Sequence, residues 1–367
     1  MTEQQIISFA RGAPSLDIIA ADELAECAAR ALRSDPAGAF SYGTAVGYQP
    51  LREWIAERQS AAVEQVVTTN GSMQADAFLF ELIVEPGDVV IVEAPTYDRT
   101  LLSLRKLGAE VMPIPLEPDG IDVGALEVVL EQGVRPKLAH IIPNFQNPAG
   151  YTLSLDKRRR LLELAAQYDF VLFEDDPYIE LRFAGERLPT MLSMDRADKV
   201  VYASSFSKTV CPGIRVGYLV GPEPVIAAIV RLGTETYISP SMVSQAIVTE
   251  FCRSGAIEQS IETVKNALRD RRDALAEALR RELPEARFVP PDGGYFLWVE
   301  LPEGADVDLL FENARDAGVV FVKGTDFLVD GGQNTLRLAF SGVTPAEIDE
   351  GVSRLAKAYR SLPAAAA

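Results

Sequence analysis

The chain has 367 residues, of which 48% are hydrophobic, and it carries a formal net charge of −18. This length is large for one core and predicts a large domain together with a smaller one. The sequence has no basic stripe of the kind that nucleic-acid binding requires, its single histidine excludes a multi-histidine metal site, and its three widely separated cysteines argue against a disulfide framework.

The amino-terminal sequence MTEQQIISFARGAP has neither the basic region nor the long apolar stretch of a signal peptide. Further along the chain, no apolar run approaches the ~20 residues that a membrane-spanning helix needs. We therefore expect a cytoplasmic protein that does not bind a membrane.

Short apolar runs alternate with longer helical patterns over the first 250 or so residues. Several runs are apolar on both faces, as expected of strands in a sheet that helices cover on both sides. Helical patterns such as 72–84 and 154–169 separate the runs, which predicts an α/β domain with a largely parallel sheet. The predicted strands are 64–69, 88–94, 110–116, 137–145, 169–176, 199–206 and 214–221.

Beyond about residue 255 the pattern changes. A long amphipathic helix comes first, apolar runs with strand character follow, and a closing helix starts at Pro345. This order is typical of a smaller α+β domain. We expect the amino-terminal arm to join that domain and the terminal PAAAA to be disordered. The helix is predicted over 255–283, the runs over 288–301, 318–324 and 334–340, and the arm, large domain and small domain over 1–30, 31–260 and 261–367.

The stretch TTNGSMQAD at 68–76 follows a predicted strand and opens a predicted helix. Gly71 allows a ligand to approach the backbone, and the N–H groups of Ser72 and Met73 would point out of the helix N-terminus. This pattern predicts an anion-binding turn. The alternative is an ordinary strand-to-helix turn capped by Ser72.

In SSFSKTVCPGIRVGY, residues 204–218, a lysine follows a buried apolar strand. Such a lysine is costly unless its charge or its nitrogen is used. Ser205 and Arg215 could bind the same phosphate as the turn at Gly71, with Arg215 as a double donor. The alternative is that Lys208 is a loop lysine beside a solvated arginine.

Two further predicted strands end in polar side chains. Asp175 and Asp176 of FEDDPY fall at a carboxyl end, where open α/β sheets bind ligands, although a capped turn would give the same pattern. In NFQNPAG, Asn147 precedes Pro148 and should be extended, with its amide directed into a crevice. As an isolated turn, this second stretch carries little information.

Together these stretches place an anion-binding turn, a lysine, a carboxylate and an amide at strand ends. Pyridoxal phosphate requires such a set, because it forms an imine with a lysine and its pyridine nitrogen needs an acidic partner. The burial of Lys208 is then explained, since its nitrogen would bond to an aldehyde.

Motifs spread over nearly the whole chain, from about Ile6 to Tyr359, carry a resemblance to a known family. They are SFARGAP, FSYGTAVGYQPLR, TTNGSMQA, EAPTYD, IPNFQNPAG, EDDPY, SSFSKTVCPGIRVGY, PPDGGYFLWVEL and NTLRLAFS. The sequence resembles the fold-type I pyridoxal-phosphate aminotransferases of class I/II, most closely the 2-aminoadipate and kynurenine aminotransferase branch. The resemblance implies an α/β large domain with a mostly parallel seven-stranded sheet between helices, a smaller α+β domain, and a homodimer with shared active sites.

The resemblance also implies roles around the cofactor. Lys208 corresponds to the Schiff-base lysine and proton shuttle, and Asp175 to the partner of the pyridine nitrogen. Tyr97 would stack over the ring, and Tyr178 and Asn147 would donate to its 3-hydroxyl group. The implied phosphate ligands are Gly71, Ser72, Met73, Ser205 and Arg215, together with Tyr42 from the neighbouring subunit.

On the substrate side, the resemblance implies that Arg337 of NTLRLAF binds the α-carboxylate in a bidentate manner and that Gly12 lies nearby. Arg11 replaces a glycine that is common in the branch. It would contact a second substrate carboxylate or narrow the pocket, or else point to solvent or pair with an acidic neighbour. The chain also starts without a segment that shapes the side-chain pocket in some relatives, so specificity stays open. Neighbourhood alone suggests Tyr237, Ile238 and Phe327 as pocket residues.

We therefore predict a ping-pong aminotransferase that acts on an L-amino acid and a 2-oxo acid. The resemblance implies that glutamate and 2-oxoglutarate are one substrate pair. Burial and nearby positive charge should lower the pKa of Lys208 enough for it to act as a base. His140 lies in the middle of a predicted strand, and we interpret it as a packed side chain rather than a catalytic one.

Three alternative functions compete with this interpretation. A lyase, decarboxylase or oxidase with the same cofactor stays open, because the cofactor motifs are shared. A transcription regulator built on this scaffold is disfavoured because no winged helix-turn-helix precedes Ile6. A nicotinamide dehydrogenase is disfavoured because no G-x-G-x-x-G turn follows an early strand.

Overall fold

The computed structural model describes residues 5–363, in which helices and short strands alternate along the chain. The strands are β1 (Ile7–Ser8), β2 (Val66–Thr69), β3 (Val89–Ala94), β4 (Glu110–Glu117), β5 (Gly120–Ile121), β6 (Leu138–Ile141), β7 (Val171–Asp175), β8 (Val200–Ser205), β9 (Gly217–Val220), β10 (Phe296–Glu300), β11 (Val319–Val320), β12 (Val322–Lys323) and β13 (Thr335–Ala339). The helices are α1 (Ala21–Ser34), α2 (Pro36–Phe40), α3 (Gln49–Gln59), α4 (Ser72–Ile83), α5 (Asp98–Leu107), α6 (Val123–Glu131), α7 (Leu155–Tyr168), α8 (Met191–Met194), α9 (Glu223–Tyr237), α10 (Met242–Arg253), α11 (Ala256–Glu282), α12 (Val307–Asp316) and α13 (Pro345–Arg360).

The largest sheet has the strand order β2-β9-β8-β7-β6-β3-β4-β5. The neighbours from β8 to β4 are paired in parallel, whereas β9 is antiparallel to both β2 and β8. The predicted mostly parallel α/β sheet is therefore confirmed. Its strand count differs by one, because the two-residue strand β5 turns back on β4. Strand β5 is too short for a periodicity of two to reveal it in the sequence.

Helices cover both faces of this sheet, which explains why its central strands are apolar on both sides. Alternate residues of one strand point to opposite faces. Val90 and Val92 therefore pack with α4, α5 and α9, while Ile91 packs with α6 and α7. Leu138, at the start of β6, pairs with Val90 and lies on the same face. By the same alternation, His140 and Asp175 lie on the face of the sheet that carries α4.

A second region contains the antiparallel sheet β10-β13-β12 and the helices α11, α12 and α13, which share one core with it. Strand β1 pairs in parallel with β11, so the amino-terminal arm lies against this region. The closing helix α13 starts at Pro345, as predicted, with Thr344 and Glu347 forming a capping box. The domain boundaries at residues 30 and 260 stay a prediction.

Within residues 5–363, no helix is both long enough and apolar enough to cross a membrane. The same residues contain no group of three or more His, Cys, Asp or Glu side chains suited to hold a metal ion. The terminal PAAAA, apart from Pro363, lies outside the described residues.

Candidate active site

The carboxyl ends of the central strands surround one cavity of about 250 Å³, which we call the strand-end cavity. Open α/β sheets bind ligands at this edge. Of the residues predicted to form the site, those that line the cavity are Arg11, Gly12, Ser72, Met73, Tyr97, Asn147, Asp175, Tyr178, Ser205, Lys208 and Arg215. Strand β8 leads to Ser205 and Lys208, β7 ends at Asp175, β2 leads into α4, and the segment after β6 carries Asn147.

Lys208 lines this cavity. Its half-buried side chain donates from Nζ to the Gly12 carbonyl oxygen at 2.9 Å, and Nζ lies 5.7 Å from the ring centre of Tyr178 and 5.3 Å from that of Tyr295. Burial, and then the charges of Arg337 and Arg215, lower the pKa of Lys208 from 10.5 to about 8. A substantial fraction of Lys208 is therefore a neutral, nucleophilic amine near physiological pH.

The start of α4 and the loop after β8, where the sequence predicts an anion-binding site, lie side by side. Gly71 has a φ of +86°, and a Cβ at that position would lie 2.2 Å from Arg215 Nη2, so only glycine lets the turn approach the guanidinium. Arg215 donates to the Asn70 carbonyl oxygen at 3.2 Å and to Ser207 Oγ at 3.4 Å. Among residues 5–363, no carboxylate lies within ion-pair distance of Arg215. Its charge is therefore available to an anion beside the helix N-terminus.

Arg337 and Asn147 are joined on the side of the cavity that faces the small sheet. Arg337 Nη1 donates to Asn147 Oδ1 at 2.9 Å, and Nη2 donates to the Ala10 carbonyl oxygen at 2.6 Å. The guanidinium lies 4.3 Å from the ring centre of Phe296 and 4.8 Å from that of Phe327. It is buried, its Nε has no hydrogen-bond partner, and no carboxylate in the described part of the chain pairs with it. Its position suits recognition of a carboxylate.

Two tyrosines complete the walls. Tyr97 precedes α5, and its hydroxyl group lies 3.8 Å from Met73 Sδ. Tyr178 is buried against Tyr295 and Phe296, with its ring edge-on to both. Burial raises the pKa of Tyr97 to about 12 and also raises that of Tyr178. Both phenols therefore keep their protons and can act as hydrogen-bond donors.

Asp175 lies at the end of β7 with a buried carboxylate whose Oδ1 has no hydrogen-bond partner. His140 Nε2 lies 3.4 Å from its Oδ2. The expectation of a packed His140 is correct in part, because the imidazole is fully buried against Phe80 and Phe173. The proximity of His140 to Asp175 was not predicted. Asp176 points elsewhere and accepts a hydrogen bond from Asn144 Nδ2 at 2.8 Å.

Several predicted residues lie outside the cavity wall. Gly71 and Arg337 contact residues that line it, Arg215 and Asn147 respectively. Tyr42 is 90% exposed and is not part of the cavity. Tyr237, Ile238 and Phe327 do not line the strand-end cavity, because Tyr237 packs on Phe78, Ile238 is exposed and Phe327 is buried beneath Arg337.

The sequence prediction missed two polar residues of the cavity, Asp76 and Ser207. Ser207 receives a hydrogen bond at 2.9 Å from Ser205 Oγ and one from Arg215, so it lies among the predicted phosphate ligands. Its position directly before Lys208, two residues after Ser205, was a usable signal. Asp76 follows Ser72 by four residues and therefore shares its helix face. An aspartate on the apolar helix α4 was also visible in the sequence.

Comparisons with known proteins agree on one family. The family described as aminotransferase class I and II matches residues 4–355. The chain belongs to the class I and II aminotransferases. A 2-aminoadipate transaminase of Thermus thermophilus is 37% identical over 362 residues, which cover 97% of this chain and 91% of the relative. An aromatic-amino-acid aminotransferase of Thermococcus litoralis is 35% identical over 367 residues, covering 97% and 88%.

Solved structures give the same assignment. The α-aminoadipate aminotransferase of Thermus thermophilus, complexed with N-(5′-phosphopyridoxyl)-L-leucine, superposes with a TM-score of 0.93 at 36% identity, covering 97% of this chain and 92% of that one. The kynurenine aminotransferase of Pyrococcus horikoshii, with PMP, superposes with a TM-score of 0.93 at 34% identity, covering 98% and 91%. This chain is therefore a pyridoxal-phosphate-dependent enzyme that transfers amino groups between amino acids and 2-oxo acids.

The strand-end cavity fits pyridoxal phosphate on three observations. The unpaired Arg215 beside the N-terminus of α4 suits a phosphate group. The buried carboxylate of Asp175, with one oxygen unpartnered, suits a protonated ring nitrogen. The partly neutral amine of Lys208, with a pKa of about 8, suits bonding to an aldehyde.

Proposed function

We propose that this aminotransferase uses Lys208 both to hold the cofactor and to move the proton of the substrate. The observation that carries this proposal is the half-buried amine of Lys208, whose pKa is lowered to about 8 within reach of Asp175, Arg215 and Arg337. When bound, pyridoxal phosphate supplies an electron sink for the negative charge left at the substrate Cα. The neutral Lys208 amine would then take the proton from the substrate Cα and donate it to the cofactor.

The remaining cofactor contacts follow from the walls of the cavity. The N–H groups of Ser72 and Met73 and the side chains around Arg215 would bind the phosphate. Asp175 would keep a proton on the ring nitrogen, so the ring stays electron-poor. Tyr97 would cover one face of the ring. The proposed residues are Gly71, Ser72, Met73, Ser205, Ser207 and Arg215 for the phosphate, Asp175 for the ring nitrogen, and Tyr178 and Asn147 for the ring hydroxyl.

Arg337 would hold the α-carboxylate of the substrate, with Gly12 nearby. Its guanidinium is positioned by hydrogen bonds to Asn147 and Ala10. These bonds leave Nε without a partner, and the whole group lies against Phe296 and Phe327. A fork fixed in this way would orient the Cα–H bond toward Lys208.

Glutamate and 2-oxoglutarate are proposed as one substrate pair. Arg11 supports a dicarboxylic substrate, because it is exposed at the cavity wall and no acidic side chain within residues 5–363 pairs with it. A second carboxylate there would gain an unpaired guanidinium. The test is a series of half-reactions with single amino acids, in which glutamate should convert the bound cofactor faster than norvaline, which lacks the second carboxylate. Equal rates for glutamate and norvaline would reject this pair.

A homodimer with shared active sites is proposed on the exposure of Tyr42 and of its neighbour Phe40, which are 90% and 65% exposed. Large exposed aromatic side chains are typical of surfaces that a partner covers. A mixing experiment tests Tyr42. If Tyr42 acts across the interface, Tyr42→Ala and Lys208→Ala chains refolded together should regain about a quarter of wild-type activity, because mixed dimers contain one intact site. If Tyr42 acts within its own subunit, mixing should restore no activity.

A cytoplasmic location is also proposed. It is supported by the three cysteines, which are free thiols, as is typical of a reducing compartment.

A further inference from the structure

Three titratable side chains meet at the end of the strand-end cavity where β6, β7 and α4 converge. Asp175 and Asp76 are 5% and 7% exposed, and both line the cavity. His140 is fully buried behind Asp175, with Nε2 at 3.4 Å from Asp175 Oδ2. Asp76 Oδ1, Asp175 Oδ1 and both ring nitrogens of His140 have no hydrogen-bond partner. This concentration of buried, unpartnered polar atoms requires an explanation.

Two carboxyl groups buried in one cavity do not both ionise readily, because each negative charge raises the energy of the other. Burial and the neighbouring Asp175 carboxylate hold the pKa of Asp76 well above its usual range. No Lys, Arg or His side chain among the described residues lies within ion-pair distance of Asp76, whereas Asp175 has His140 beside it. Within ion-pair distance, Asp175 therefore has one imidazole that Asp76 lacks.

Other charged or titratable groups also face this cluster, and none of them removes that asymmetry. Lys208 acts on Asp175 from across the cavity. Glu93 acts on it from β3, and its pKa is raised to about 8, so it is largely protonated at neutral pH. Tyr97 faces both aspartates and keeps its proton. The groups that face Asp175 are His140, Asp76, Glu93, Tyr97, Asp176, Tyr178 and Lys208.

We propose that His140 is a positioning residue that fixes the single negative charge of the Asp76–Asp175 pair on Asp175. An imidazole with its proton on Nε2 directs that N–H at Asp175 Oδ2. Asp175 then stays ionised, and the proton of the pair resides on Asp76. The inference rests on the proposed function in one respect, namely that Asp175 is the carboxylate that meets the ring nitrogen.

This arrangement has a direct consequence for cofactor binding. An ionised Asp175 attracts a protonated ring nitrogen, whereas a neutral one does not. Without His140, Asp76 would compete with Asp175 for the charge, and part of the population would carry it on Asp76. His140 would thus improve cofactor affinity without touching the cofactor.

The first test observes the imidazole itself. The chain has one histidine, so a protein made with ¹⁵N-histidine and without a histidine tag gives one pair of ring nitrogen signals. The proposal predicts a protonated Nε2 in both the cofactor-free and the cofactor-bound protein. A neutral ring with its proton on Nδ1 would overturn the proposal, because no N–H could then face Asp175.

The second test measures the dissociation constant of pyridoxal phosphate for four variants. His140→Phe keeps the aromatic packing with Phe80 and Phe173 but removes the donor, and we expect about tenfold weaker binding. His140→Gln places an amide N–H near the position of Nε2 and should recover most of this loss. Asp76→Asn in the His140→Phe background removes the competing carboxyl group. We expect this double variant to bind the cofactor about fivefold more tightly than His140→Phe alone, and the single Asp76→Asn variant completes the cycle.

The rescue by Asp76→Asn distinguishes charge positioning from packing. If His140 only fills space, a second substitution beside the cavity should leave binding unchanged or weaken it, and either result would overturn the proposal. Thermal melting of each cofactor-free variant checks that it is folded. Failure of the His140 proposal and failure of the proposed function would give different results. A protein with the expected NMR and affinity pattern but no amino transfer from glutamate would refute the proposed substrate pair alone.

Discussion

Replacing Arg337 by methionine is expected to raise the pKa of Lys208 and to slow its covalent capture of pyridoxal phosphate at neutral pH. Burial is the largest cause of the lowered Lys208 pKa, and the charge of Arg337 is the next. Removing that charge takes away one source of repulsion against the ammonium form. The pKa should therefore move back toward 10.5.

The size of the effect follows from the fraction of neutral amine. With a pKa of about 8, the fraction at pH 7 is about one in eleven. At the ordinary pKa it would be about one in three thousand, roughly 300-fold less. Each half unit by which the substitution raises the pKa should therefore slow capture at pH 7 about threefold.

The assay is stopped-flow absorbance of cofactor-free enzyme mixed with pyridoxal phosphate, from pH 6 to pH 10. The wild-type rate constant should rise about tenfold per pH unit and level off above about pH 8. Arg337→Met should level off at higher pH, while Arg337→Lys, which keeps the charge, should stay close to the wild type. A wild-type rate that still rises at pH 10, or equal profiles for the methionine and lysine variants, would refute this reasoning.

Three further predictions concern other parts of the site. Glu93 is buried and its pKa is raised from 4.5 to about 8. Its preference for the protonated form in the folded state therefore stabilises the fold fully below pH 4.5, and this stabilisation is lost as the pH rises through 8. Glu93→Gln should therefore stabilise the protein by up to about 3 kcal/mol at pH 7 and by little at pH 4.5 in urea denaturation, and an equal gain at both pH values would contradict this. Gly71→Ala should weaken pyridoxal phosphate binding at least about tenfold through its clash with Arg215, whereas Gly87→Ala, with a similar φ of +90° but open space around it, should leave binding unchanged in the same titration. Arg11→Gln should raise the KM for 2-oxoglutarate about tenfold with little effect on pyruvate; parallel changes for both acceptors in steady-state assays would remove Arg11 from side-chain recognition.

Element types could be predicted from the sequence because the central strands and their helices follow clear apolar patterns. Strand ends were less predictable, because they depend on contacts from elsewhere. The run 137–145 was predicted as one strand, but β6 ends at Ile141, since the Ile142 N–H donates to Glu93 instead of to a neighbouring strand. The run 214–221 shortens to β9 because Arg215 adopts a left-handed φ of +51°.

The predicted strand 288–301 shortens for a related reason. Strand β10 begins only at Phe296. Pro290 and Pro291 have no N–H group to donate to a sheet. Gly293 approaches Phe145 so closely that a Cβ there would lie 2.3 Å from the ring. This segment therefore serves as a loop that packs against the site, although its apolar pattern indicates a strand.

Most polar residues that line the strand-end cavity were predictable because they follow strands, where a buried polar side chain requires an explanation. Asn147 was placed correctly beside the cavity, although its peptide bond to Pro148 is cis. The grouping of Asp76, Asp175 and His140 was not predictable, because it requires the register of β6 on β7 and the rotation of α4. Tyr237, Ile238 and Phe327 do not line the cavity, since neighbourhood in sequence says little about which way a side chain points.

The most direct test of the account is one turnover of cofactor-loaded enzyme with glutamate and no 2-oxo acid, in the wild type and in Lys208→Arg. The arginine variant keeps a positive charge but cannot act as a base at working pH. We predict one equivalent of 2-oxoglutarate and one of pyridoxamine phosphate per site in the wild type, and neither product in Lys208→Arg. Formation of both products at a comparable rate in the variant would contradict the central role given to Lys208.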